Sequence, residues 1–300
     1  MIRRGFFMAK NKAIGYNRLM VSIVILTYNS EKYIEPLVQS IYKHNKQDSF
    51  EVIIVDNKSS DKTVAEAKKL GTKVKIIETG DNLGFAKGIN YGAKHAKGKY
   101  LLFVNPDTVW REGNIKDLIS VYERSERIGI VGGKLVNPAG IAEKSSGKFF
   151  GFWSTFLLAL GLDEVFGIRF CPNRITRVDF VSGGFLMIDK NAFDKLGGFD
   201  EHYFMYVEDM DLCFRAKNEK KLTYFSPNAV LEHTAHGSSS RKFAIKNIYA
   251  GILYFQKMHM SALSYFLVYL LLLLKANALV LLGKIFNNRS LTETYSGILK

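Results

Sequence analysis

Three short runs of apolar, mostly β-branched residues recur in the first third of this 300-residue chain, and they constrain its fold most strongly. The runs occupy residues 21–27, 52–55 and 100–104. Uninterrupted apolar runs of this length are typical of parallel strands that are covered on both faces. The segments between them carry helical patterns, at residues 30–44, 61–70 and 85–97. Strands that alternate with helices predict an α/β fold with a doubly wound sheet.

Polar residues follow each of these predicted strands directly. They are Thr27-Tyr28-Asn29, Asp56-Asn57 and Asn105-Pro106-Asp107. Because open α/β sheets bind ligands beyond the carboxyl ends of their strands, these three strand ends are predicted to border one crevice. The turn after the first strand contains neither GxGxxG nor GxxxxGK[ST], so dehydrogenase and P-loop interpretations lose their main support.

The composition fits one large α/β domain, or a domain with appendages, and it limits the partners. Cys171 and Cys213 form no CxxC pair and are too few for a disulfide framework, which predicts a reducing compartment. Residues 1–20 are basic and contain no signal-peptide core, so we expect the catalytic part to stay in the cytoplasm. The formal net charge of +14 favours an anionic partner, but charge alone does not choose between nucleic acid, an anionic membrane and a phosphorylated substrate.

The two aspartates at the strand ends each have a functional and a plain interpretation. Asp56 has the position of a carboxylate that accepts hydrogen bonds from a ribose hydroxyl or a base N–H, or it caps the turn that follows it. Asp107 follows a proline that rigidifies its turn, and a carboxylate there suits Mg²⁺ or Mn²⁺ bridging a diphosphate. An Asn-Pro-Asp turn is also common without any ligand.

A third acidic group, Glu208-Asp209-Met210-Asp211, opens a predicted helix. The helix dipole is expected to stabilise the carboxylates and to lower their pKa, and helix capping alone is the plain interpretation. Glycosyl transfer with inversion needs one carboxylate as base and a metal that neutralises the departing diphosphate, and Asp209 and Asp107 match these two roles. Arg215 lies four residues after Asp211 and is expected to pair with it, without a catalytic role.

His233 and His236 follow a predicted strand at 229–231, where a neutral imidazole has the position to complete a metal shell opposite Asp107. A pair of surface histidines is the alternative on spacing alone. Gly183 and Gly184 precede another predicted strand and would let a substrate approach the backbone closely. Trp153 either stacks on a sugar face or lies in a packed core.

Five segments in one order, 21–29, 55–61, 82–90, 103–107 and 197–212, resemble the family 2 glycosyltransferases and, within them, the bacterial rhamnosyltransferase-like group. The resemblance covers about residues 21–239. It implies the GT-A fold of nucleotide-diphospho-sugar transferases, a doubly wound mixed sheet flanked by helices. One departure from the wider superfamily is that its usual Asp-x-Asp stands here as Asn105-Pro106-Asp107, a form that the rhamnosyltransferase-like group shares.

The same resemblance implies roles for individual residues. Asp209 is the expected base with Glu208 beside it, and Asp107 and His233 are the expected ligands of a divalent metal, Mn²⁺ or Mg²⁺. Gly183, Gly184 and Trp153 are expected on the acceptor side. The nucleotide-sugar donor is expected to contact Thr27, Tyr28, Asn29, Asp56, Asn82, Gly84, Phe85, Gly88, Asn90 and Asn105.

The chain is strongly apolar over residues 262–286, where Lys275 is the only charge before Lys284. The run is long enough to span a bilayer, but Lys275 and Asn277 lie within it, so we favour a helix that lies in the membrane interface. A helix packed on the catalytic domain is the alternative. Together with the family and the positive charge, this run predicts a location at the cytoplasmic face of the cell membrane and a polyprenyl-diphosphate-linked glycan acceptor.

These features divide the chain into a basic extension (1–20), a GT-A domain (21–240) and a C-terminal helical membrane-associating region (241–300). The GT-A domain is expected to have a nucleotide-sugar-binding half (21–110) and an acceptor half (111–240). The predicted activity is inverting transfer of a sugar from a UDP- or dTDP-sugar in cell-surface polysaccharide synthesis. A non-catalytic nucleotide-binding subunit is the alternative, and nucleic-acid binding rests on charge alone, without a recognised motif.

Overall fold

A mixed sheet of nine strands forms the centre of the computed structural model, which describes residues 20–234 and 240–298. The described residues form twelve strands in all, which are β1 (Val21–Thr27), β2 (Phe50–Asp56), β3 (Lys75–Glu78), β4 (Tyr100–Val104), β5 (Thr108–Glu112), β6 (Ile128–Val136), β7 (Ser146–Gly147), β8 (Arg169–Phe170), β9 (Thr176–Val178), β10 (Phe180–Val181), β11 (Phe185–Asp189) and β12 (Leu222–His233). Eight of them run in the order β3-β2-β1-β4-β11-β6-β12-β5, and β9 pairs with β12. A small second sheet has the order β10-β7-β8.

The three strands expected from the apolar runs are β1, β2 and β4, and they pair in parallel as predicted. Their carboxyl ends therefore reach the same edge of the sheet. β11 enters beside β4 in the antiparallel direction, which makes the sheet mixed. The pairing sets Phe185 opposite Val104, so the turn before β11 lies against the residues that follow β4.

The helices cover both faces of the sheet. They are α1 (Ile34–His44), α2 (Thr63–Lys69), α3 (Gly84–Ala93), α4 (Ile115–Tyr122), α5 (Phe152–Ala159), α6 (Lys190–Lys195), α7 (Glu208–Asn218), α8 (Arg241–His259), α9 (Ala262–Ile285) and α10 (Arg289–Tyr295). Buried side chains of α1, α2 and α4 join a core on one face, and those of α3, α6, α7, α8, α9 and α10 join a core on the other. The C-terminal helices thus share a core with the sheet.

The local sequence signals located most elements, with shifts at their ends. Helices expected at 30–44, 61–70 and 85–97 are present but shorter, because a turn precedes α1 and α2 and because α3 ends at Ala93. The strand predicted at 229–231 is the end of a longer strand, β12, whose pairing with β6 shifts register between Phe225 and Val230. The apolar run over 262–286 forms α9, the one helix in the described part of the chain that is long and apolar enough to cross a membrane.

Candidate active site

The polar ends of β4 and β12 open into a cleft of about 530 Å³. One wall comes from the strand ends, and the other comes from the segment between β6 and β8. This segment belongs to the half of the domain, residues 111–240, that is predicted to bind the acceptor. Polar and charged lining residues include Asn105, Glu143, Lys144, Arg169, Ser182 and His233. Both carboxylates and cations therefore face this space.

Asp107 and His233 meet at one end of the cleft. β5 and β12 pair so that His233 lies opposite Thr108, and the N–H of Thr234 donates to the carbonyl of Asp107 at 3.0 Å. The His233 Nε2 lies 3.2 Å from Oδ2 of Asp107, and its Nδ1 lies 3.0 Å from Oε2 of Glu143. Hydrogen bonding to Asp107 raises the pKa of His233 to about 9, and the Glu143 carboxylate contributes. The imidazole is thus oriented by two carboxylates.

A pKa of about 9 makes the neutral imidazole expected from the sequence the minor form at neutral pH in the absence of a cation. The Asp107–His233 pair would offer one oxygen and one nitrogen atom, the donor types found in Mn²⁺ sites, once the ring loses its proton on metal binding. Glu143 holds the second ring nitrogen, as the outer partners of metal-bound histidines usually do. Within residues 20–234 and 240–298, no set of three or more His, Cys, Asp and Glu side chains is arranged to hold a metal alone. His236 lies outside the described residues, so its part in the expected site stays a prediction.

Asp209 is joined to the strand ends through the Gly183-Gly184 turn. The N–H of Gly183 donates to Oδ2 of Asp209 at 2.9 Å, and the N–H of Asn105 donates to the carbonyl of Gly184 at 3.1 Å. A Cβ on Gly184 would come within 2.7 Å of the Asn105 amide nitrogen, so glycine is needed for this close approach. The turn thereby places the Asp209 carboxylate beside the residues that follow β4.

Burial reverses the expected effect of the helix dipole on the acidic group that opens α7. The expectation of a lowered pKa is wrong for Glu208 and for Asp209. Burial raises the pKa of Glu208 well above its ordinary value, and the neighbouring Asp209 charge adds to this. Burial also raises the pKa of Asp209, while backbone N–H groups of Gly183 and Met210 act in the opposite direction. Desolvation outweighs the dipole because α7 begins inside the protein.

A strained turn precedes these carboxylates. Tyr206 and Val207 have φ angles of 72° and 73°, a left-handed conformation that is unusual for a β-branched residue. α8 packs directly behind the turn, where Gly251 would bring a Cβ to 3.0 Å from the carbonyl oxygen of Tyr206. Such strain is often held at functional sites by the surrounding structure. Here α8 provides that support.

The carboxyl ends of β1 and β2 carry residues that the sequence predicts to contact the donor. Asp56 is buried and accepts bonds from the hydroxyl of Thr27 at 3.1 Å and from the hydroxyl and N–H of Ser59 at 2.6 and 3.0 Å. The turn-capping geometry proposed as an alternative for Asp56 is therefore present. Asn29 accepts a bond from the N–H of Ser60, whereas Tyr28 is exposed at the rim.

Asn82 and Gly84 form a turn that is fastened by Asn57. The Asn57 amide donates to Oδ1 of Asn82 at 2.9 Å, and the N–H of Leu83 donates to the Asn57 side-chain oxygen at 2.9 Å. Gly84 has a φ of 77°, and a Cβ there would lie 2.4 Å from the carbonyl oxygen of Phe204. That same carbonyl accepts a bond from the N–H of Phe85. The turn thus connects the donor side to the loop before α7.

Gly88 and Asn90, both expected to contact the donor, have structural roles. A Cβ on Gly88 would lie 2.5 Å from a methyl group of Leu26, so this glycine lets α3 pack on β1. Asn90 is buried, and its side chain donates to the carbonyl of Phe199 and accepts from the N–H of Phe199. These contacts do not test whether either residue also touches the donor, so that expectation stays a prediction.

The position of Trp153 excludes only one of its two interpretations, and its expected place on the acceptor side stays a prediction. It is 71% exposed on α5, so it is not in a packed core, and it is not among the residues that line the cleft. Arg215, by contrast, pairs with Asp211 as expected, with 2.6 Å between Nε and Oδ2. The other oxygen of Asp211 lies 2.6 Å from Nε2 of His259, which ties α7 to the end of α8.

Glu143 and Asn57 take part in the site but were missed as candidates. Glu143 lies in an irregular segment and reaches His233 across 90 residues, so no local pattern indicates the contact. Asn57 follows Asp56 at the end of β2, and its position at a strand end was a usable signal.

Comparisons with known proteins agree with this geometry. The family model described as glycosyl transferase family 2 matches residues 22–197. An N-acetylglucosaminyl-diphospho-decaprenol L-rhamnosyltransferase of Mycobacterium tuberculosis is 28% identical over 244 residues, covering 73% of this chain and 78% of the relative. The rhamnosyltransferase WbbL of Escherichia coli K12 is 26% identical over 237 residues, covering 75% and 87%.

Solved structures share the fold at low identity. The mannosyltransferase PcManGT from Pyrobaculum calidifontis, in complex with GDP-Man and Mn²⁺, matches with a TM-score of 0.58 and 16% identity, over 95% of this chain and 75% of that one. GalNAc-T7 with UDP, GalNAc and Mn²⁺ matches with a TM-score of 0.59 and 16% identity, over 77% of this chain and about half (48%) of the GalNAc-T7 chain. The fold is GT-A, as expected. Since the family model covers more than half of its length, the chain belongs to glycosyl transferase family 2.

Proposed function

We propose that this glycosyltransferase transfers a sugar, rhamnose or another hexose, from a UDP- or dTDP-sugar to a lipid-linked glycan acceptor with inversion at the anomeric carbon. The observation that carries the proposal is the Gly183-Gly184 turn, which joins the Asp209 carboxylate to Asn105 at the strand end that leads to Asp107. The proposed base is thus connected to Asn105, which lines the cleft together with His233.

Asp209 acts as the base in this proposal. Two backbone N–H groups fix its carboxylate, and its raised pKa brings it closer to the value at which a carboxylate accepts a proton efficiently near neutral pH. Glu208 retains its proton because its pKa is raised well above its ordinary value, so the negative charge of the pair resides on Asp209. The acceptor hydroxyl gives its proton to Asp209 and attacks the anomeric carbon as the bond to the nucleoside diphosphate breaks on the opposite face.

Asp107 and His233 would hold one Mn²⁺ or Mg²⁺ together with oxygens of the donor diphosphate. The bound ion would supply charge neutralisation for the departing diphosphate. The oxygen and nitrogen donors of the pair fit such an ion, and Glu143 keeps the His233 ring in place. Mn²⁺ in the two structural neighbours gives further support to this assignment.

The donor and the acceptor would occupy opposite parts of the domain. We assign residues 21–110 to the nucleotide-sugar, with Asn29, Asp56 and Asn82 near the nucleoside, and residues 111–240 to the acceptor. The name of the mycobacterial relative, which includes a diphospho-decaprenol acceptor, supports a polyprenyl-diphosphate-linked acceptor and a role in cell-surface polysaccharide synthesis. Lys144 and Arg169 in the cleft wall are cations suited to such a diphosphate. The reaction would take place at the cytoplasmic face of the membrane.

Two variants test the assigned roles separately. We expect the purified full chain to be stabilised thermally by one nucleotide-sugar in the presence of Mn²⁺ or Mg²⁺, and to release that sugar slowly to water or to an acceptor. Asp107→Ala should lose the metal-dependent stabilisation. Asp209→Asn should retain it but lose turnover by about 10²–10⁴-fold.

Asp194→Asn, at an exposed position of α6, is the matched control and should behave like the wild type. Wild-type turnover in Asp209→Asn would refute the assigned base, and unchanged metal-dependent stabilisation in Asp107→Ala would refute the metal site. Donor binding without transfer to any lipid-linked acceptor would instead support a non-catalytic nucleotide-binding subunit.

A further inference from the structure

One side of α9 is uncovered along the whole helix, and it is apolar except for the exposed Asn277. We call this side the outer face and define it as Leu263, Phe266, Leu270, Leu274, Leu281 and Ile285. These six side chains are between 39% and 67% exposed, and their helical spacing places them on one side. The outer face extends over about 33 Å at 1.5 Å per residue. An apolar stripe of this length is unusual on a soluble surface and marks an interaction site.

The opposite side of α9 is packed against protein from end to end. Val268, Leu272 and Ala276 are buried in the core shared with α7 and α8. The hydroxyl of Ser264 donates to the buried Gln256 of α8 at 2.8 Å near the start of the helix. Near its end, a Cβ on Gly283 would lie 2.5 Å from the hydroxyl of Thr292, so α10 packs closely there. A helix that crosses a bilayer alone needs its whole circumference free for lipid, and α9 lacks that freedom.

A second apolar patch lies on the segment that precedes β8. Leu160, Val165 and Phe166 are each more than half exposed, and Trp153 on α5 is also exposed. α5 lies beside α9, because Leu158 lines the same cavity of about 170 Å³ as Leu272 and Lys275. We call the exposed side chains of Trp153, Leu160, Leu162, Val165 and Phe166 the α5 patch. The outer face and the α5 patch therefore belong to adjacent elements.

The charges around these patches are those of a surface that meets anionic lipid. α9 contains no acidic residue; the exposed Lys257 precedes it, the exposed Lys284 lies in its last turn, and the exposed Arg289 follows it. Asp163, between Leu162 and Val165, is buried and paired with Arg169 at 2.7 Å, and the exposed Glu164 beside it lines the cleft, where it lies 3.8 Å from Lys144. Basic residues beside an apolar helical face are typical of helices that lie in the interface of an anionic membrane.

We infer that α9 lies along the membrane surface without crossing it, and that the outer face and the α5 patch insert together into one anionic lipid leaflet. This inference deepens the proposed function, because it specifies how the enzyme meets the membrane that carries its proposed acceptor. The active-site cleft stays in water, and α8 connects the inserted helix to α7.

Trp153 is a built-in reporter of this contact. The chain has two tryptophans, and Trp110 is 1% exposed in the core, so lipid can quench only Trp153 directly. With vesicles of phosphatidylcholine and phosphatidylglycerol, we expect brominated acyl chains to quench the Trp153 emission of the full chain. Quenching should disappear in vesicles that lack the anionic lipid at physiological salt. Vesicle binding that leaves Trp153 unquenched would overturn the role of the α5 patch.

The depth of a tryptophan placed at three positions of α9 separates a lying helix from a crossing one, and the buried Trp110 that remains in each variant is the same unquenched background. Leu263→Trp, Leu274→Trp and Ile285→Trp are each made in a Trp153→Phe background, and lipids brominated at shallow or deep carbons are compared. A helix that lies in the interface gives the same shallow profile at all three positions. A profile that is deepest at position 274 and shallow at both ends would overturn the inference in favour of crossing.

Serine substitutions in the outer face test its role in membrane binding. Donor hydrolysis is measured separately, so that a loss of membrane binding is distinguished from a loss of catalysis. The triple variant Phe266→Ser/Leu270→Ser/Leu274→Ser should bind vesicles at least about tenfold more weakly, whereas Tyr91→Ser, at an exposed position of α3, should bind like the wild type. Donor hydrolysis in detergent should be equal in all three proteins. Loss of hydrolysis everywhere would count against the proposed function and not against membrane docking. A stable dimer with the outer face buried and no vesicle binding would show that a second copy of the chain is the partner.

Discussion

Replacement of Glu208 by glutamine tests how unfavourable it is to ionise the buried carboxyl group next to the proposed base. The Glu208 side chain is 5% exposed, and its Oε2 has no hydrogen-bond partner among the described residues. Ionisation at such a position is unfavourable in the folded state, whereas the unfolded chain ionises the group near its ordinary pKa of 4.5. Glutamine retains the shape and cannot ionise. We therefore expect Glu208→Gln to be more stable than the wild type at neutral pH.

The sign and size of the effect follow from proton linkage. Because the pKa of Glu208 is raised in the folded state, the folded state binds more protons than the unfolded state between the ordinary and the raised pKa. The wild type therefore loses stability as pH rises through that window, and the variant does not. Each unit of elevation corresponds to about 1.4 kcal/mol. Allowing for the polar amide that remains buried, we expect a net gain of about 1–3 kcal/mol. A gain of that size corresponds to a rise in Tm of about 2–8 °C.

Thermal unfolding of the full chain between pH 4 and pH 8.5 measures this difference. The two melting temperatures should coincide near pH 4 and separate as pH rises. Glu123→Gln, at an exposed position at the end of α4, is the matched control and should follow the wild type throughout. A Glu208→Gln variant that is less stable at every pH, or a difference that does not change with pH, would refute the reasoning. Its turnover should stay within about tenfold of wild type, because the amide resembles the protonated acid.

Two further predictions concern the backbone around α7. Gly251→Val should lower the free energy of unfolding by about 1–3 kcal/mol and reduce kcat at constant donor KM, because the added methyl groups press on the strained turn before α7. Calorimetry and initial rates measure these two effects. A Gly251→Ala control should lie within about 1 kcal/mol of wild type. Lys220→Gly should raise the free energy of unfolding by about 1 kcal/mol without changing activity. Lys220 follows the end of α7 and has a φ of 61°, which favours glycine. Urea unfolding checks this, and a destabilised variant would contradict it.

Local sequence was sufficient to locate the carboxyl ends of the parallel strands. The apolar runs that became β1, β2 and β4 are continuous, so their carboxyl ends and the polar residues after them follow from pattern alone. The helix that begins at Glu208 was also predicted, as was the pairing of Arg215 with Asp211. These features depend on residues that are close in sequence or on a regular period.

The parts that sequence did not give correctly depend on distant contacts. The pKa direction of Glu208 is set by burial under packed elements, and no local pattern reports how deeply a helix start is buried. The left-handed turn at Tyr206 and Val207 contains no glycine that would indicate it in the sequence. The conformation of this turn depends on packing against α8, which lies further along the chain. The contact of Glu143 with His233, and the exposure of Trp153, likewise depend on how the irregular segment after β6 folds back.

The shared core of the C-terminal helices has a practical consequence for anyone who wishes to handle this enzyme in solution. Apolar C-terminal helices are commonly deleted to improve expression and solubility. Here such a deletion would uncover the side of α8 that meets Leu272, and it would loosen the helix that holds the strained turn and pairs His259 with Asp211. Polar substitutions restricted to the outer face are the better route to a soluble enzyme, because they leave the packed side of α9 in place.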